Sequence, residues 1–416
     1  MTKKRTVCAL LLAASTFTLM NSASASTVPS RGPTAKGMLA ESNVADTTLG
    51  TDAFGESVAI SGSTIVVGDE DHNKRGYVYE FASAGLRWQL AGEQSGPNGF
   101  GFSLAGSGSN FAVGTLSGRA YVYAHGEHGW HMTAALKSAP GDAKSLFGLS
   151  VALSGATLAA TADRKPSNGG QMIVFTDGRT GWTQTAKFND PDTRRYSIFG
   201  DSAISGHTMV VGDVQGASGQ GRAYVYTDGP TGWGRTAELV DSNGQKDTFA
   251  GLVAISGNTM VVGDPTYAYG RGRVYVFTET ATGWQQTAEL QGFNTTPGDQ
   301  FGSDVGISGS TIVVGAADSE GLRGTAYVFA KTGSSWIQIA ELNPADTIAK
   351  SFFGTSVAIS GTTIVVGDGV SSCSIRRNGG PSRSTPCTPP WKGGAYVYAK
   401  TVSGWHLVAV LHRPNK

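Results

Sequence analysis

The stretch FGESVAISGSTIVVGD, Phe54 to Asp69, holds two short β-branched runs, VAI and TIVV, separated by a small-residue turn and closed by Gly-Asp. Val, Ile and Thr favour extended backbone, and a glycine able to take positive φ joins two antiparallel strands tightly. Close variants return downstream as FGLSVALSGATLAAT, FGSDVGISGSTIVVGA and FGTSVAISGTTIVVGD, so the hairpin is one part of a repeat. That matters before any domain count, because 416 residues would otherwise suggest two or three domains.

Phe-Gly or its equivalent falls at Phe54, Phe100, Phe147, Phe199, Phe249, Phe301 and Phe353, at spacings of 46 to 52 residues. Each unit has four parts: FGxSVAIS, TIVVGD after a tight turn, GxAYVY after a variable stretch, and GWxxxAxL after a short turn. Seven of the eight tryptophans hold that last position: Trp88, Trp130, Trp182, Trp233, Trp284, Trp336 and Trp405. The first two parts are nearly continuous apolar runs, as in strands covered on both faces. The fourth alternates, with Trp130, Met132, Ala134 and Leu136 on one face, so it is half exposed and outermost. Seven four-stranded antiparallel units with a dry inner edge predict an all-β fold, a seven-bladed β-propeller.

The phrase FG…VVG(A/D)…GxAYVY resembles the FG-GAP repeat family, best known from integrin α-subunit propellers, over about residues 46 to 412. The resemblance is to bacterial exported members, and it implies contact with proteins or surfaces through a loop-rich face. The family's calcium loops do not carry over. Calcium takes six to eight oxygen ligands, whereas the corresponding turns here (SGST, SGSN, SGAT, SGHT, SGNT, SGST and SGTT) hold no carboxylate. Departures from the pattern carry their own expectations. FGDSAISGHT is one residue short, which predicts a bulge. Ala250 and Leu252 replace Gly and Ser in the fifth repeat, and Thr161 replaces a Gly in the third.

Residues 1–25 read as a signal peptide: a basic MTKKR, the apolar TVCALLLAASTFTLM, and Ala23-Ser24-Ala25 as cleavage signal. Residues 26–45 form an N-terminal segment and 46–416 the propeller. AESNVADTT (Ala40 to Thr48) mirrors AELNPADTI (Ala340 to Ile348), so either this segment or GWHLVAVL (Gly404 to Leu411) is expected to close the ring. An exported chain, secreted or periplasmic, without a transmembrane segment follows. Without the signal, the 32 basic and 31 acidic residues become 29 and 31, a balance that excludes nucleic acid as the main partner. Cys373 and Cys387 remain, and in an oxidising compartment they are expected to pair.

A residue that returns in most blades is scaffold before it is a site. Ser57, Ser103, Ser150, Ser202 and Ser356 hold an equivalent position, and none sits in a nucleophile elbow. The repeated tryptophans read as packing between blades. Asp69, Asp213, Asp264 and Asp368 end the second strands; they read as turn caps or as an acidic ring at one rim. DEDHNKRGYVYE places Asp69, Asp71, Asn73 and Glu80 in an EF-hand-like spacing but lacks its glycine. His125, His128 and His131 surround a turn in the second unit, loosely enough that solvated residues are expected rather than zinc.

Loop lengths point elsewhere. The first-to-second and third-to-fourth connections are short and uniform, while the others vary, which gives one regular face and one suited to recognition. The longest connection, Gly369 to Gly394, holds Arg376, Arg377, Arg383, Lys392 and Trp391, and in the fifth unit Tyr267 and Tyr269 share that face. The reading is a non-enzymatic binding or adhesion module, a monomer without cofactor or metal, whose partner is an extracellular protein or cell-surface glycan. A lectin-like carbohydrate-binding propeller is the alternative. A polysaccharide hydrolase or lyase is the third, with no acid/base pair to support it.

Overall fold

The computed structural model describes residues 53–414 except 71–74, 86, 127–128, 139–145, 164–169, 192–198, 214–220, 242–248, 345–350, 370–372, 376–382 and 386–392; of 373–375 and 383–385 it describes the backbone alone. The expected signal peptide and N-terminal segment therefore lie outside the described residues.

Each repeat folds into one antiparallel four-stranded sheet. Blade 1 holds β1 (Val58–Ser61), β2 (Thr64–Asp69), β3 (Gly76–Ala84) and β4 (Arg87–Gly96). Blade 2 holds β5 (Leu104–Ser107), β6 (Asn110–Gly114), β7 (Ala120–Gly126) and β8 (Gly129–Leu136). Blade 3 holds β9 (Leu146–Ser154), β10 (Thr157–Asp163), β11 (Gln171–Gly178) and β12 (Gly181–Asn189). Blade 4 holds β13 (Phe199–Ser205), β14 (Thr208–Asp213), β15 (Arg222–Gly229) and β16 (Gly232–Leu239). Blade 5 holds β17 (Leu252–Ser256), β18 (Thr259–Asp264), β19 (Arg273–Thr280) and β20 (Gly283–Leu290). Blade 6 holds β21 (Phe301–Ser308), β22 (Thr311–Ala316), β23 (Thr325–Thr332) and β24 (Ser335–Leu342). Blade 7 is built from β25 (Ser356–Ser360), β26 (Thr363–Gly367), β29 (Gly394–Thr401) and β30 (Gly404–His412); β27 (Cys373–Ile375) and β28 (Arg383–Thr385) pair with each other inside its long connection.

The first strands touch in cyclic order, β1 to β5 and onward to β25, which returns to β1. They surround the axis of a seven-bladed propeller. The second strands are buried almost throughout, whereas β20 alternates exposed and half-buried residues, as expected for an outer strand. Seven apolar clusters fill the seven joints, each built from neighbouring blades, and each repeated Trp packs into the joint with the preceding blade. Packing between blades is therefore what the tryptophans do.

Two rings of serines tie the blades together. In the hairpin turns, Gly155, Gly206, Gly257, Gly309 and Gly361 donate their N–H to Ser107, Ser154, Ser205, Ser256 and Ser308 of the blade before, at 2.9–3.1 Å. Gly62 donates to Ser360 at 3.3 Å, which carries the same bond across the ring's closure. Deeper in, Ser57 donates to the Gly101 carbonyl at 2.5 Å, Ser103 to Gly148 at 3.1 Å and Ser356 to Gly55 at 2.8 Å. The Phe-Gly glycine is required there: Gly55 has φ +93, and a Cβ on it would stand 2.3 Å from the Gly394 carbonyl oxygen.

Of the two candidates for closing the ring, Ala40 to Thr48 lies outside the described residues. Gly404 to Leu411 lies in β30, blade 7's own outer strand, and blade 7 meets blade 1 by the same packing and serine bonds as other joints. The shortened fourth repeat does show a register shift, between Phe199 and Ser202. Ser202 consequently pairs with Val211, as Val58 pairs with Val67, so Ser202 is not the equivalent of Ser57; Asp201 is. The third and sixth repeats slip by two residues at full length and the fourth by one, so the bulge does not arise from the shortening, which trims it by a residue. Gly369 to Gly394 is not structureless either, since Cys373 pairs with Thr385 and Ile375 with Arg383 in a small hairpin.

Candidate ligand-binding face

The four repeated aspartates do not line an exposed rim: Asp69, Asp213 and Asp264 are wholly buried and Asp368 nearly so. Each ends the second strand where the third begins, and the chain there uses the carboxylate as an internal acceptor. Asp368 takes a hydrogen bond from the Gly394 N–H and another from the Tyr396 hydroxyl at 3.1 Å; Asp264 takes one from Thr266 Oγ1 at 3.3 Å. Asp69 faces Arg413 of the last blade at 3.8 Å. Buried in this way, the four carboxylates do not form an exposed acidic ring.

The EF-hand-like spacing also comes apart. Asp69 pairs with Tyr77 and Glu80 with Val66, three rows away and on the opposite face of blade 1. Asp71 and Asn73 lie outside the described residues. The three-histidine turn fails for the same reason: His125 pairs with Trp130 and Ala124 with His131, so His125 and His131 point to opposite faces of the hairpin. His128 is outside the described residues. Among the described residues no three of His, Cys, Asp and Glu gather as a metal site. The pairing of Cys373 with Cys387, and the side chains of Arg376, Arg377, Arg383, Trp391 and Lys392, likewise fall outside what the structure describes.

The described part of the loop-rich face is best formed at blades 5 and 6. Tyr267 and Tyr269 sit in the connection between β18 and β19. Tyr267 is half-buried, with the Arg273 guanidinium 3.8 Å above its ring, and Arg273 in turn bonds Glu289 at 2.5 Å. Tyr269 is 91% exposed at φ +63, in the left-handed region that non-glycine residues seldom adopt. Ala268 before it is also left-handed, at φ +49. Such strained backbone persists only where its surroundings hold it. Here the Gly270 carbonyl accepts the Gln300 N–H at 2.7 Å, and Gly272 bridges to Phe301.

Gln300 belongs to residues 291–300, which cross from blade 5 to blade 6. This segment is fixed at both ends and in the middle. Thr296 donates its N–H to Asp299 at 2.6 Å, Phe293 donates its N–H to Gln338 at 3.0 Å, and the Tyr327 hydroxyl donates to Asn294 at 2.9 Å. Phe293 nonetheless projects outward, 84% exposed. Sequence reasoning missed it because it sits outside the repeat phrase; only its place in a held loop distinguishes it. Nearby, Gln300 donates to Asp318 at 2.5 Å, and burial, with the Asp299 charge behind it, pushes the Asp318 carboxyl up to about 6.

Two further acids lie near the ring axis. Asp201 accepts from Ser150 Oγ at 3.0 Å, from the Ser202 N–H at 2.8 Å, and from the Val253 N–H of blade 5 at 3.2 Å. Asp304 accepts from the Val305 N–H at 2.8 Å and from the Val357 N–H of blade 7 at 2.6 Å. Both occupy the position that Ser57 holds in blade 1; Asp304 falls there counting from either end, whereas Asp201 is found only by counting back from the hairpin serine. Desolvation raises both carboxyls, Asp304 to about 8 with Asp201's charge adding to the effect. With their oxygens held by backbone donors of the next blade, they act as inter-blade clamps.

The chain matches the FG-GAP repeat family over residues 44–81, 233–277, 284–329 and 336–380. Three of these matches begin on the Trp of one outer strand and run into the next blade, and together the four cover the first hairpins of blades 1, 5, 6 and 7. No curated protein matches it. A crystal structure of a protein from Lactobacillus plantarum aligns at 13% identity with a TM-score of 0.49, covering 69% of this chain and 84% of that one. Among the described residues no helix is long and apolar enough to cross a membrane. Four stretches of the chain thus match the FG-GAP repeat, and the same strand pattern recurs in all seven blades.

Proposed function

We propose that this chain is an exported, non-enzymatic binding module whose loop-rich face grips an extracellular protein. The observation that carries this reading is the presentation of Tyr269 and Phe293. Both are almost wholly exposed, yet the segments bearing them are fixed by hydrogen bonds to the scaffold. An aromatic held ready on ordered backbone loses little freedom on binding and contributes a large apolar contact. FG-GAP repeat domains are typically extracellular, which agrees with the N-terminal signal reading.

The lectin reading needed repeated aspartates at the surface of several equivalent pockets, and their burial removes that support. The test uses residues 26–416 and the double variant Tyr269→Ala/Phe293→Ala as paired baits for secreted and surface proteins, with both also applied to a glycan array. A protein retained by the parent and lost by the variant supports the proposal. Sugar binding common to both, without a protein partner, overturns it in favour of the glycan.

A further inference from the structure

Blade 1 departs from the ring's symmetry inside its third strand. Glu80 pairs with Val66, and the corresponding residue of every other blade is a buried valine: Val122, Val174, Val225, Val276, Val328 and Val397. Glu80 is only 1% exposed, like those valines, so a carboxyl group stands where the scaffold elsewhere places hydrocarbon. Its side chain lies on the face shared by Val66 and Val78, which packs against Phe100, Phe111 and Val113 of blade 2.

One charged group meets it there. His125 Nε2, near the end of β7 in blade 2, stands 3.6 Å from Glu80 Oε1, and the imidazole is 46% exposed at the edge of the joint. The other neighbours are Trp130 on β8, whose indole faces Glu80, and Gly92 on β4, which has no side chain to offer. Among the described residues no other charge acts on Glu80; Glu127 and His128, between β7 and β8 in the sequence, lie outside them.

We propose that Glu80 and His125 form a proton-dependent latch across the joint between blades 1 and 2, closed while the pair holds at least one proton and loosened when it holds none. With one proton the pair is either an ion pair or two neutral partners, and both satisfy the buried carboxyl. With two, Glu80 is neutral and the half-exposed imidazolium is hydrated. With none, a buried carboxylate faces a neutral ring and its desolvation is uncompensated. Burial raises the Glu80 carboxyl and the His125 charge opposes that rise. The folded chain therefore holds this proton more tightly than the unfolded chain. The latch's contribution is full in acid and falls as pH rises through the folded value.

The test is hydrogen exchange of the β3 and β7 amides in the full chain from pH 4 upward to 9, corrected for intrinsic rates and referenced to β18 and β19. A Glu127→Gln/His128→Gln/His131→Gln background removes the hairpin's other carboxylate and imidazoles. The parent should lose protection at the seam by at least about fivefold over this range. Glu80→Gln and Glu80→Val should hold it level. His125→Ala should move the loosening to lower pH, because Glu80 alone can then hold the pair's last proton, a shift that mere loss of packing would not produce. A Glu80→Gln protein whose seam follows the parent's pH profile overturns the latch.

Discussion

Arg413 Nη1 stands 3.8 Å from Asp69 Oδ2, so a residue just beyond the last outer strand reaches the end of the first blade's second strand. Asp69 is fully buried and the Arg413 side chain is 13% exposed, which puts the pair in a poorly screened setting at the joint between the first and last blades. Removing one partner of such a pair leaves the other charge in a dry site. Arg413→Ala is expected to lower stability by about 3 kcal/mol in urea unfolding, with little change between low and high salt. A loss below about 0.5 kcal/mol would mean the joint closes by packing alone.

Asp304 sets a second expectation. Its carboxyl is pushed to about 8 by desolvation and by Asp201, against an ordinary value of 3.8. A raised carboxyl stabilises the fold fully below its unfolded pKa and loses that contribution as pH rises towards 8. The parent should therefore melt at lower temperature at pH 9 than at pH 5. Asp304→Asn keeps an acceptor for the Val357 N–H and cannot ionise, so its melting curve should flatten and pass above the parent's at pH 9, by a few kcal/mol.

Ala250 occupies the place of the Phe-Gly glycine in blade 5 and sits at φ +66. Left-handed backbone costs an L-residue about 1–2 kcal/mol, and a glycine's extra freedom in the unfolded chain offsets about 0.4–1 of that. Ala250→Gly should raise stability by up to about 1 kcal/mol in urea unfolding. Lower stability would show that the Ala250 methyl group makes a packing contact worth more than the relieved strain.

Tyr269 and Phe293 give the functional prediction. Replacing both with Ala should weaken capture of the protein partner at least about tenfold. Unfolding should change by less than about 0.5 kcal/mol, because neither side chain is covered in the folded chain. Equal losses of binding and stability would place them in the scaffold instead.

Repetition made most of this architecture readable. Each Phe-Gly, VVG and Gly-Trp phrase satisfies the same local needs: a left-handed residue, a strand buried on both faces, and an outer strand with one wet side. Seven copies therefore announce seven blades. The recurring serines and tryptophans were legible as scaffold for the same reason, since a symmetric residue meets symmetric neighbours. What only the tertiary structure decided is what each symmetry-breaking residue meets, because its partner lies a blade away and at no fixed spacing. Asp69 looked like a rim acid until Arg413, 344 positions later, came to face it. Glu80 was grouped with Asp69 by spacing, yet strand alternation turned the two to opposite faces of blade 1. Asp201 took the place assigned to Ser202 because one missing residue shifts the register, and a strand's facing changes with every residue of slip. The sequence by itself determined the blades and their number; packing between blades determined which of its polar residues tie one blade to the next and which aromatic side chains stay exposed.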